Sequence, residues 1–542
     1  MSTDTTGFKK RSVVSNFIFN FDTPDGKPRV ALFKRSGKVS TYQHHLAPIS
    51  GSIEYSDPSP LAAAWREINE ETTLTPASLA LIRQGKSYTF SDPAIRREWT
   101  IHPFAFRLKS GTSDANKIKI DWEHSGWDWY DPATVEDSTE FGGVPRLAES
   151  LRRVWFEKDL GSAAGKILAD GLDKLAHDFT SGARQMAGDA LRILRDVIAA
   201  LDKAHDVDRL KWWTNVRFAA WHIWKNGRES MGAAIMSVLV SALAWIEQTI
   251  SQQQSPHPPA TTAIDILNKR IAARQDSAGK VSHAFATYLE TTFASRLTSK
   301  EPLSILTLSE SSTITHAIHH LAQSSGFILD LRILESRPLF EGVALAASLA
   351  KSLPSFNEPT TSSPVQKKHK ITLYTDASAG LAVQNVDIVV IGADRISDSG
   401  DVSNKTGSLP AVLGARYVTY NNSEERHAAK IVVLAEKEKV APYGERFDQH
   451  VVEDGDPGQV TQAWEVEGVS ERVKDAARVL REYSHNGEKK GVEVEMKNVA
   501  FEWCSSETID VYINENGQWS RDDIAEHSKK LKEEEKRIFG SL

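Results

Sequence analysis

The sequence predicts an α/β protein in which a small mixed α/β domain precedes a helical region and a doubly wound, mostly parallel sheet. From about residue 301, short apolar runs alternate with helical patterns, as at residues 304–308, 316–324 and 328–334. Such alternation is typical of a parallel sheet covered by helices on both faces. Residues of about 140–300 instead repeat apolar side chains at helical spacing, for example over residues 187–201.

We therefore expect three regions, namely a first domain at residues 1–140, a helical subdomain at 141–300 and a sheet domain at 301–542. Polar stretches are predicted to form exposed connectors at residues 251–262, 355–370 and 484–491. The charged residues 521–538 are predicted to form a solvated terminal helix.

Length and composition limit the class of protein. A chain of 542 residues with 40% apolar residues is long enough for two to four globular domains. Its net charge of -7 argues against a general nucleic-acid or membrane-surface binder. No run approaches the roughly 18 apolar residues of a membrane span, and the N-terminus lacks a signal-peptide core. The single cysteine, Cys504, excludes an internal disulfide framework and fits a reducing compartment. We expect a cytoplasmic protein with no nucleic-acid or membrane partner.

The first region is predicted to contain a hairpin of residues 13–21 and 29–33, followed by one helix from about Pro60 to Thr72. Apolar residues of this helix recur at i, i+3, i+4 and i+7, and this stripe should face the core. Its carboxylates lie at i, i+3 and i+4 on another face: Glu67, Glu70 and Glu71. Crowded carboxylates repel one another, but they also form the kind of site that Mg²⁺ prefers. A solvated acidic face is the alternative interpretation.

Gly51, followed by the residues REINEE at 66–71, resembles the Nudix box of pyrophosphohydrolases. The resemblance implies an α/β/α sandwich with a mixed sheet. It also implies Glu67, Glu70 and Glu71 as ligands of Mg²⁺ or Mn²⁺, with Glu67 and Glu70 acting in catalysis on a nucleoside diphosphate derivative. The spacing departs from the family pattern by one residue, which leaves Asp57 or Pro58 at the position of an upstream glutamate. Thr73 likewise stands where the family has a glycine.

The segment DWEHSGWDWYDP at residues 121–132 resembles the closing segment of Nudix domains. By this resemblance, Glu123 would add another carboxylate to the metal site. The alternative is a surface charge beside core tryptophans.

Residues 386–415, VDIVVIGADRISDSGDVSNKTGSLPAVLGA, suggest a ligand site at the end of a buried strand. The apolar run at 386–391 predicts the strand, and Asp394 follows it. Asn404 and Lys405 then precede a helix for which Ser408 is a plausible N-cap. Ligands bind beyond the carboxyl ends of such strands, and helix N-termini attract anions. A surface turn is the alternative.

This stretch resembles the signature of a superfamily that contains the regulatory subunits of translation initiation factor 2B, methylthioribose-1-phosphate isomerase and ribose-1,5-bisphosphate isomerase. Further matching segments occur in the expected order: SILTLSESSTITHAI, LRILESRPLFEG, TLYTDASAGLAVQNVD, KIVVLAEKEKV and NVAFEWCSSETIDVYINENG. The resemblance covers roughly the last 240 residues. It implies a Rossmann-like sheet, a phosphorylated ligand and a homodimer formed through residues of about 300–542.

The same resemblance suggests individual site residues. Asp394 occupies the position of the catalytic aspartate, while Ser309 stands where the isomerases have a cysteine. A serine hydroxyl has a far higher pKa than a thiol and is a poorer proton shuttle. The other expected substrate-binding residues are Arg228 in NGRESMGAA, Arg337 in LRILESRPLFEG, Asn404 and Lys405. For Arg228, a solvated arginine at a helix start is the alternative.

Together the two resemblances predict a Mg²⁺-dependent pyrophosphohydrolase coupled to a module that binds sugar phosphates or nucleotide phosphates. A nucleotide sugar is one candidate substrate of the hydrolase. Two alternatives remain open. One is a non-catalytic regulatory or scaffold protein related to the initiation factor subunits. The other is a sugar-phosphate isomerase that lacks the usual cysteine.

Overall fold

The computed structural model describes residues 8–109, 118–179, 181–201, 208–252, 259–353, 368–421, 429–444 and 454–542. Its first part is a mixed sheet of seven strands with one long helix. The strands are β1 (Lys9–Asn20), β2 (Arg29–Arg35), β3 (Leu46–Ala47), β4 (Leu79–Gln84), β5 (Tyr88–Asp92), β6 (Arg97–Leu108) and β7 (His124–Tyr130), and the helix is α1 (Pro60–Thr72). The strand order is β3-β2-β1-β6-β4, with β5 paired to β6 and β7 to β2. The antiparallel pairing of β1 with β2 confirms the predicted hairpin, and β1 and β6 pair in parallel.

Helix α1 begins and ends where the sequence predicts. The Ser59 side chain caps it by accepting a hydrogen bond from the Ala62 N–H at 3.1 Å. Thr73 ends it in the left-handed backbone conformation, with φ 61°. For a residue other than glycine this conformation costs on the order of 1 kcal/mol. The predicted apolar stripe faces the core, since Ala64 and Ile68 are fully buried.

The second part is helical. Its helices are α2 (Leu147–Arg152), α3 (Glu157–His177), α4 (Ala183–Leu201), α5 (Arg209–Asn226), α6 (Gly232–Ser251), α7 (Ala260–Ala273), α8 (Ser277–Thr292) and α9 (Ala294–Ser299). The segment Glu229–Ser251 is long and apolar enough to cross a membrane by length and composition, contrary to the sequence-based expectation. However, 72% of its apolar window is buried inside the protein, and α6 forms part of the core of the helical region.

The third part is an open parallel sheet. Its strands are β8 (Leu303–Leu308), β9 (Leu329–Leu334), β10 (Lys370–Tyr374), β11 (Ile388–Ile391), β14 (Lys430–Leu434), β16 (Val511–Asn514) and β17 (Gly517–Trp519). Their order is β10-β9-β8-β11-β14-β16-β17, and only the pairing of β17 is antiparallel. Separate apolar clusters pack on the two faces of the sheet. The doubly wound, mostly parallel sheet is therefore confirmed.

The remaining elements of this part complete the layers. The helices are α10 (Ser312–Ser324), α11 (Glu341–Ser352), α12 (Ala379–Ala382), α13 (Ser408–Asn421), α14 (Pro457–Gln462), α15 (Glu471–Lys490) and α16 (Arg521–Phe539). A second small sheet contains β12 (Arg395–Ile396), β13 (Val402–Lys405) and β15 (Phe501–Cys504).

The structure differs from the sequence-based predictions for the connectors and for the terminal helix. Residues 484–490 continue helix α15 instead of forming a loop. Most of the expected loops at 355–370 and 251–262 lies outside the described residues, and α7 already begins at Ala260. The terminal helix α16 is present, but one side of it is buried, and Phe539 stacks on Trp224 with ring centres 5.8 Å apart.

Two neighbouring residues of β4 make several of the contacts between the first domain and the helical region. Arg83 donates two hydrogen bonds to the Glu157 carboxylate, at 2.7 and 2.9 Å, and its guanidinium lies 3.8 Å from the centre of the Phe156 ring. The Gln84 N–H donates to Asn226 Oδ1 at 2.7 Å. In return, Asn226 Nδ2 donates to the Gln84 carbonyl at 3.0 Å. An asparagine side chain thus pairs with the backbone of the first domain as a neighbouring strand would.

Candidate functional site

A cavity of about 840 Å³ lies at the carboxyl ends of β8 and β11 and is bounded on its other side by the helical region. The strand order reverses direction between these two strands, because β9 continues on one side of β8 and β14 on the other side of β11. Ligands of open α/β sheets bind at this type of switch point. Ser309, directly after β8, and Asp394, after β11, both line the cavity.

Asp394 presents a carboxyl group to a cationic environment. Its backbone N–H donates to the Ser403 carbonyl at 2.9 Å, which fixes the residue between the two sheets. Burial raises the pKa of the Asp394 carboxyl, and nearby Glu341 raises it further. The positive charges of Lys439, Lys405 and Arg228, which also line the cavity, oppose this rise. A carboxyl group with a raised pKa in a cleft is a candidate for general acid–base chemistry.

Ser309 is held in an unusual backbone conformation, with φ 62° in the left-handed region. Its N–H donates to Ser336 Oγ at 2.8 Å, and its hydroxyl donates to Glu341 Oε2 at 3.0 Å. The other oxygen of the same carboxylate, Oε1, lies 3.2 Å from Lys405 Nζ. Glu341 therefore connects two of the expected ligand-binding residues, although sequence reasoning did not select it.

Asn404 and Lys405 end strand β13 and both line the cavity. Asn404 Nδ2 donates to Ser408 Oγ at 2.8 Å, and the Ser408 hydroxyl donates to the Lys405 carbonyl at 2.7 Å. Ser408 is the first residue of α13, not its expected N-cap. Glu502 Oε1 instead accepts hydrogen bonds from the N–H groups of Gly407 and Leu409, at 2.7 and 2.8 Å. Because a carboxylate already pairs with these amides, an anion in the cavity depends on side-chain cations.

The helical region supplies cations from distant parts of the chain. Arg228 is 7% exposed, donates to the Asp178 carbonyl at 2.7 Å and lines the cavity as expected. Four further cationic residues of the lining escaped sequence reasoning: Arg184, Arg192, Arg274 and Lys439. Lys439 lies within KIVVLAEKEKV, so this motif was an available signal for it. No local pattern marks the arginines, which reach the cavity only through the packing of α4 and α7.

Arg337 does not belong to the lining of this cavity. Its side chain is exposed, with the guanidinium 5.6 Å from the centre of the Phe340 ring, and its N–H donates to Asp376 Oδ2 at 2.8 Å. Leu339 and Glu341, from the same motif, line the cavity instead.

The carboxylates of the first domain surround Arg66. This guanidinium donates two hydrogen bonds to Asp57, at 2.9 and 3.1 Å, one to Glu67 at 2.7 Å and one to Glu70 at 3.2 Å. Asp57 thus supplies an acid upstream of the helix despite the altered spacing. The Glu67 carboxylate occupies the space beside Gly51, where an added Cβ would lie only 1.9 Å from its carboxyl carbon. A side chain at that position would therefore displace the Glu67 carboxylate.

Glu71 is buried and faces His124, with Oε2 2.6 Å from Nε2. Burial raises the pKa of Glu71 well above its ordinary value, and the charges of Glu67, Glu123 and Asp121 raise it further. Burial lowers the pKa of His124 to about 4. The pKa of Glu123 is also raised by burial and by Asp121.

The expected metal ligands are neighbours, but each of the first three has a side-chain partner. Arg66 contacts Glu67 and Glu70, and His124 contacts Glu71. Across the described ranges, no three acidic, histidine or cysteine side chains converge as a metal-ligand set. The donor chemistry nevertheless suits Mg²⁺, since clustered carboxylates that raise one another's pKa favour a hard cation.

Comparison with known proteins gives matches for both halves of the chain. The family model of the Initiation factor 2 subunit family matches residues 180–521, and that of the NUDIX domain matches residues 9–154. A probable bifunctional methylthioribose-1-phosphate isomerase/methylthioribulose-1-phosphate dehydratase from Nocardia farcinica is 28% identical over 220 residues, which is 37% of this chain and 35% of that protein.

Methylthioribose-1-phosphate isomerases from Rhodopirellula baltica and Talaromyces marneffei are 33% and 26% identical, over 18% and 38% of this chain. The chain spans 24% and 50% of their lengths. Two structures from Pyrococcus horikoshii, translation initiation factor eIF-2B and 5-methylthioribose 1-phosphate isomerase, are each 15% identical with a TM-score of 0.42. The alignments include 96% and 88% of those two chains, respectively, and 65% and 69% of this chain.

Proposed function

Because this chain belongs to the Initiation factor 2 subunit family and carries a NUDIX domain, we propose that its main cavity binds a phosphorylated small molecule. The ligand class is a sugar phosphate or a nucleoside phosphate. The observation that supports it is the charge of the lining, which contains six cationic residues and three carboxyl groups, although Arg192 and Arg274 also pair with carboxylates outside the lining. A cleft lined by an excess of one charge concentrates ions of the opposite charge.

The residues around the switch point suggest how such a ligand lies. Lys405, as a compact charge at the end of β13, is suited to a phosphate group. Asp394, at the end of β11, is suited to a sugar hydroxyl, as hydrogen-bond acceptor or as general base. Arg228 reaches the same space from the helical region and adds a bidentate donor for an anion.

Calorimetry with ribose 5-phosphate and inorganic phosphate tests this assignment. Lys405→Ala should weaken the binding of both ligands by about 1.5–3 kcal/mol, since it removes a charge-assisted hydrogen bond to the phosphate. Asp394→Asn should still bind inorganic phosphate. If wild type binds neither ligand, or if Lys405→Ala binds as tightly as wild type, the cavity is not a phosphate site.

Sugar-phosphate isomerisation is a second candidate function. It is favoured by Ser309 and Asp394 lining one cavity from adjacent strands and by the names of the relatives. Proton transfer would rest on Asp394, because an ordinary serine hydroxyl is a poor proton shuttle. Incubation of the protein with methylthioribose 1-phosphate, followed by NMR, would reveal a ketose product if isomerisation occurs. Ser309→Cys should accelerate the formation of that product. Binding without any product would instead favour the regulatory alternative.

For the NUDIX domain we propose hydrolysis of a nucleoside diphosphate derivative. Glu67, Glu70, Glu71 and Glu123 would hold Mg²⁺ or Mn²⁺, which would neutralise charge on the diphosphate oxygens. A nucleotide sugar is an attractive substrate, because its hydrolysis releases a sugar phosphate of the class proposed for the cavity. A screen of the purified protein with Mg²⁺ against nucleotide sugars and dinucleotides would test this activity.

We further propose division of the chain near residues 140 and 300, a cytoplasmic location and a homodimer that pairs through residues of about 300–542. Light scattering at micromolar concentration measures the oligomeric state directly. A monomer would contradict the proposed dimer without affecting the ligand assignment.

A further inference from the structure

Glu341 occupies a fixed position at the mouth of the cavity. It is the first residue of α11, and it precedes Gly342, where an added Cβ would lie 1.8 Å from the Leu334 carbonyl oxygen. The helix start is therefore packed tightly against the end of β9. This packing leaves the Glu341 backbone little room to move, while a quarter of its side chain remains exposed to the cavity.

Both carboxylate oxygens of Glu341 are engaged by groups that a ligand would use. Oε2 accepts the Ser309 hydroxyl at 3.0 Å, and Oε1 lies 3.2 Å from Lys405 Nζ. The carboxylate therefore stands where an anion would otherwise approach Lys405. A phosphate group that binds this lysine must either displace Glu341 or share the lysine with it.

We propose that Glu341 determines the ligand specificity of the cavity by selecting phosphorylated ligands that also present a hydroxyl group. This inference rests on the proposed phosphate site. A bare phosphate gains Lys405 but meets the like charge of Glu341. A sugar phosphate gains the same lysine, and its hydroxyl donates to the carboxylate. Specificity thus comes from a repulsive element against the wrong ligand as well as an attractive one for the right ligand.

The test compares inorganic phosphate with ribose 5-phosphate on Glu341→Gln by calorimetry. Glutamine keeps the shape of the side chain but removes its charge, so inorganic phosphate should bind about tenfold more tightly. The preference for ribose 5-phosphate over inorganic phosphate should shrink by a similar factor, because a neutral amide accepts a hydroxyl more weakly than a carboxylate.

Glu335→Gln is the matched control. It removes the same charge from the same β9–α11 connection, but Glu335 does not line the cavity. Its effect on either affinity should stay below about twofold, consistent with screening of a more distant charge. Thermal unfolding of both variants checks that their folds are intact.

A double variant isolates the proposed interaction. In the Lys405→Ala background, Glu341→Gln should no longer improve phosphate binding, because the lysine that it frees is absent. If Glu341→Gln leaves the ratio of the two affinities at its wild-type value, the inference is overturned while the phosphate site stands. If neither wild type nor Glu341→Gln binds either ligand, both proposals fail. Phosphate binding by Glu341→Gln alone would support the blocking role of this carboxylate.

Discussion

The two candidate sites of this protein both crowd charges of one sign, but they balance them differently. In the first domain, the Arg66 guanidinium lies among Asp57, Glu67 and Glu70, and His124 pairs with Glu71. The acidic cluster is thus closed by side chains of its own domain. In the main cavity, cations from the helical region and from the sheet region surround open space of about 840 Å³.

Charges arranged around open space leave room for a ligand, whereas charges gathered around one arginine must first be separated. A cation entering the first site competes with an arginine that is already in place. An anion entering the second site finds open space, but it competes with Glu341 for Lys405 and with Glu438 for Arg274. Removing a charge should therefore affect folding most in the first site and ligand binding most in the second.

The largest effect on folding is expected for Arg66→Ala. It leaves three carboxylates without their common cation and should lower the free energy of unfolding by about 1.5 kcal/mol, the low end for hydrogen bonds to charged groups. Urea unfolding measures this loss. Added Mg²⁺ should restore part of it, because a ligand of the folded state stabilises that state.

Lys166→Ala is the comparison for that measurement. Its pair with Asp170 lies on the exposed surface of α3, and its loss should be barely measurable. Equal effects of the two substitutions would show that the acidic cluster is not held together by Arg66.

The next largest effect is expected on the affinity for a divalent metal ion. Wild type should bind Mg²⁺ or Mn²⁺, and Glu70→Gln should weaken this binding about tenfold, which corresponds to about 1.4 kcal/mol. Titration calorimetry with each ion measures the affinity. The absence of divalent-ion binding and of pyrophosphatase activity in wild type would reduce the first domain to a fold without metal chemistry.

A smaller effect of opposite sign is expected for Asp394→Asn. The pKa of Asp394 is raised in the folded protein, so the contribution of this group to stability is lost as pH rises through the folded-state pKa. The asparagine variant avoids that loss and should be more stable than wild type at neutral pH. Below the ordinary pKa of 3.8 the difference should vanish.

Thermal unfolding across this pH range checks the prediction. A variant less stable than wild type at neutral pH would mean that Lys439, Lys405 and Arg228 stabilise the charged carboxylate more than burial disfavours it.

The smallest effect concerns Cys504. It is fully buried on β15, and burial raises its pKa to about 12, so its thiol is almost entirely protonated at neutral pH. Cys504→Ser should leave phosphate affinity unchanged, and alkylating reagents should react with the native protein only slowly. Rapid modification that abolishes phosphate binding would instead indicate that Cys504 acts in place of the isomerase cysteine, whose position Ser309 occupies.

Local signals allowed much of the fold to be predicted. The Ser59 cap and a 3.6-residue apolar period define α1, and the alternation of apolar runs with helices defines the parallel sheet. The charged segment at 484–490 has no comparable period of apolar residues, and its continuation of α15 escaped prediction.

The site was predictable only where function resides in a continuous motif. Ser309 and Asp394 follow strands, Asn404 and Lys405 end one, and all four line one cavity. Partners joined through tertiary packing gave no such signal. Glu502, not Ser408, accepts hydrogen bonds from the N–H groups at the start of α13, and it lies nearly a hundred positions away in the sequence. The pairing of Glu71 with His124 likewise depends on how β7 meets α1.

The paired hydrogen bonds between Gln84 and Asn226 have a mechanical consequence. Only Gly227 separates Asn226 from Arg228, which lines the main cavity, so the first domain is attached two residues away from a wall of that cavity. The chain is closely packed at Gly227, where an added Cβ would lie 2.7 Å from the Ile223 carbonyl oxygen. A displacement of β4 that keeps the Asn226 pairing therefore moves the chain next to Arg228.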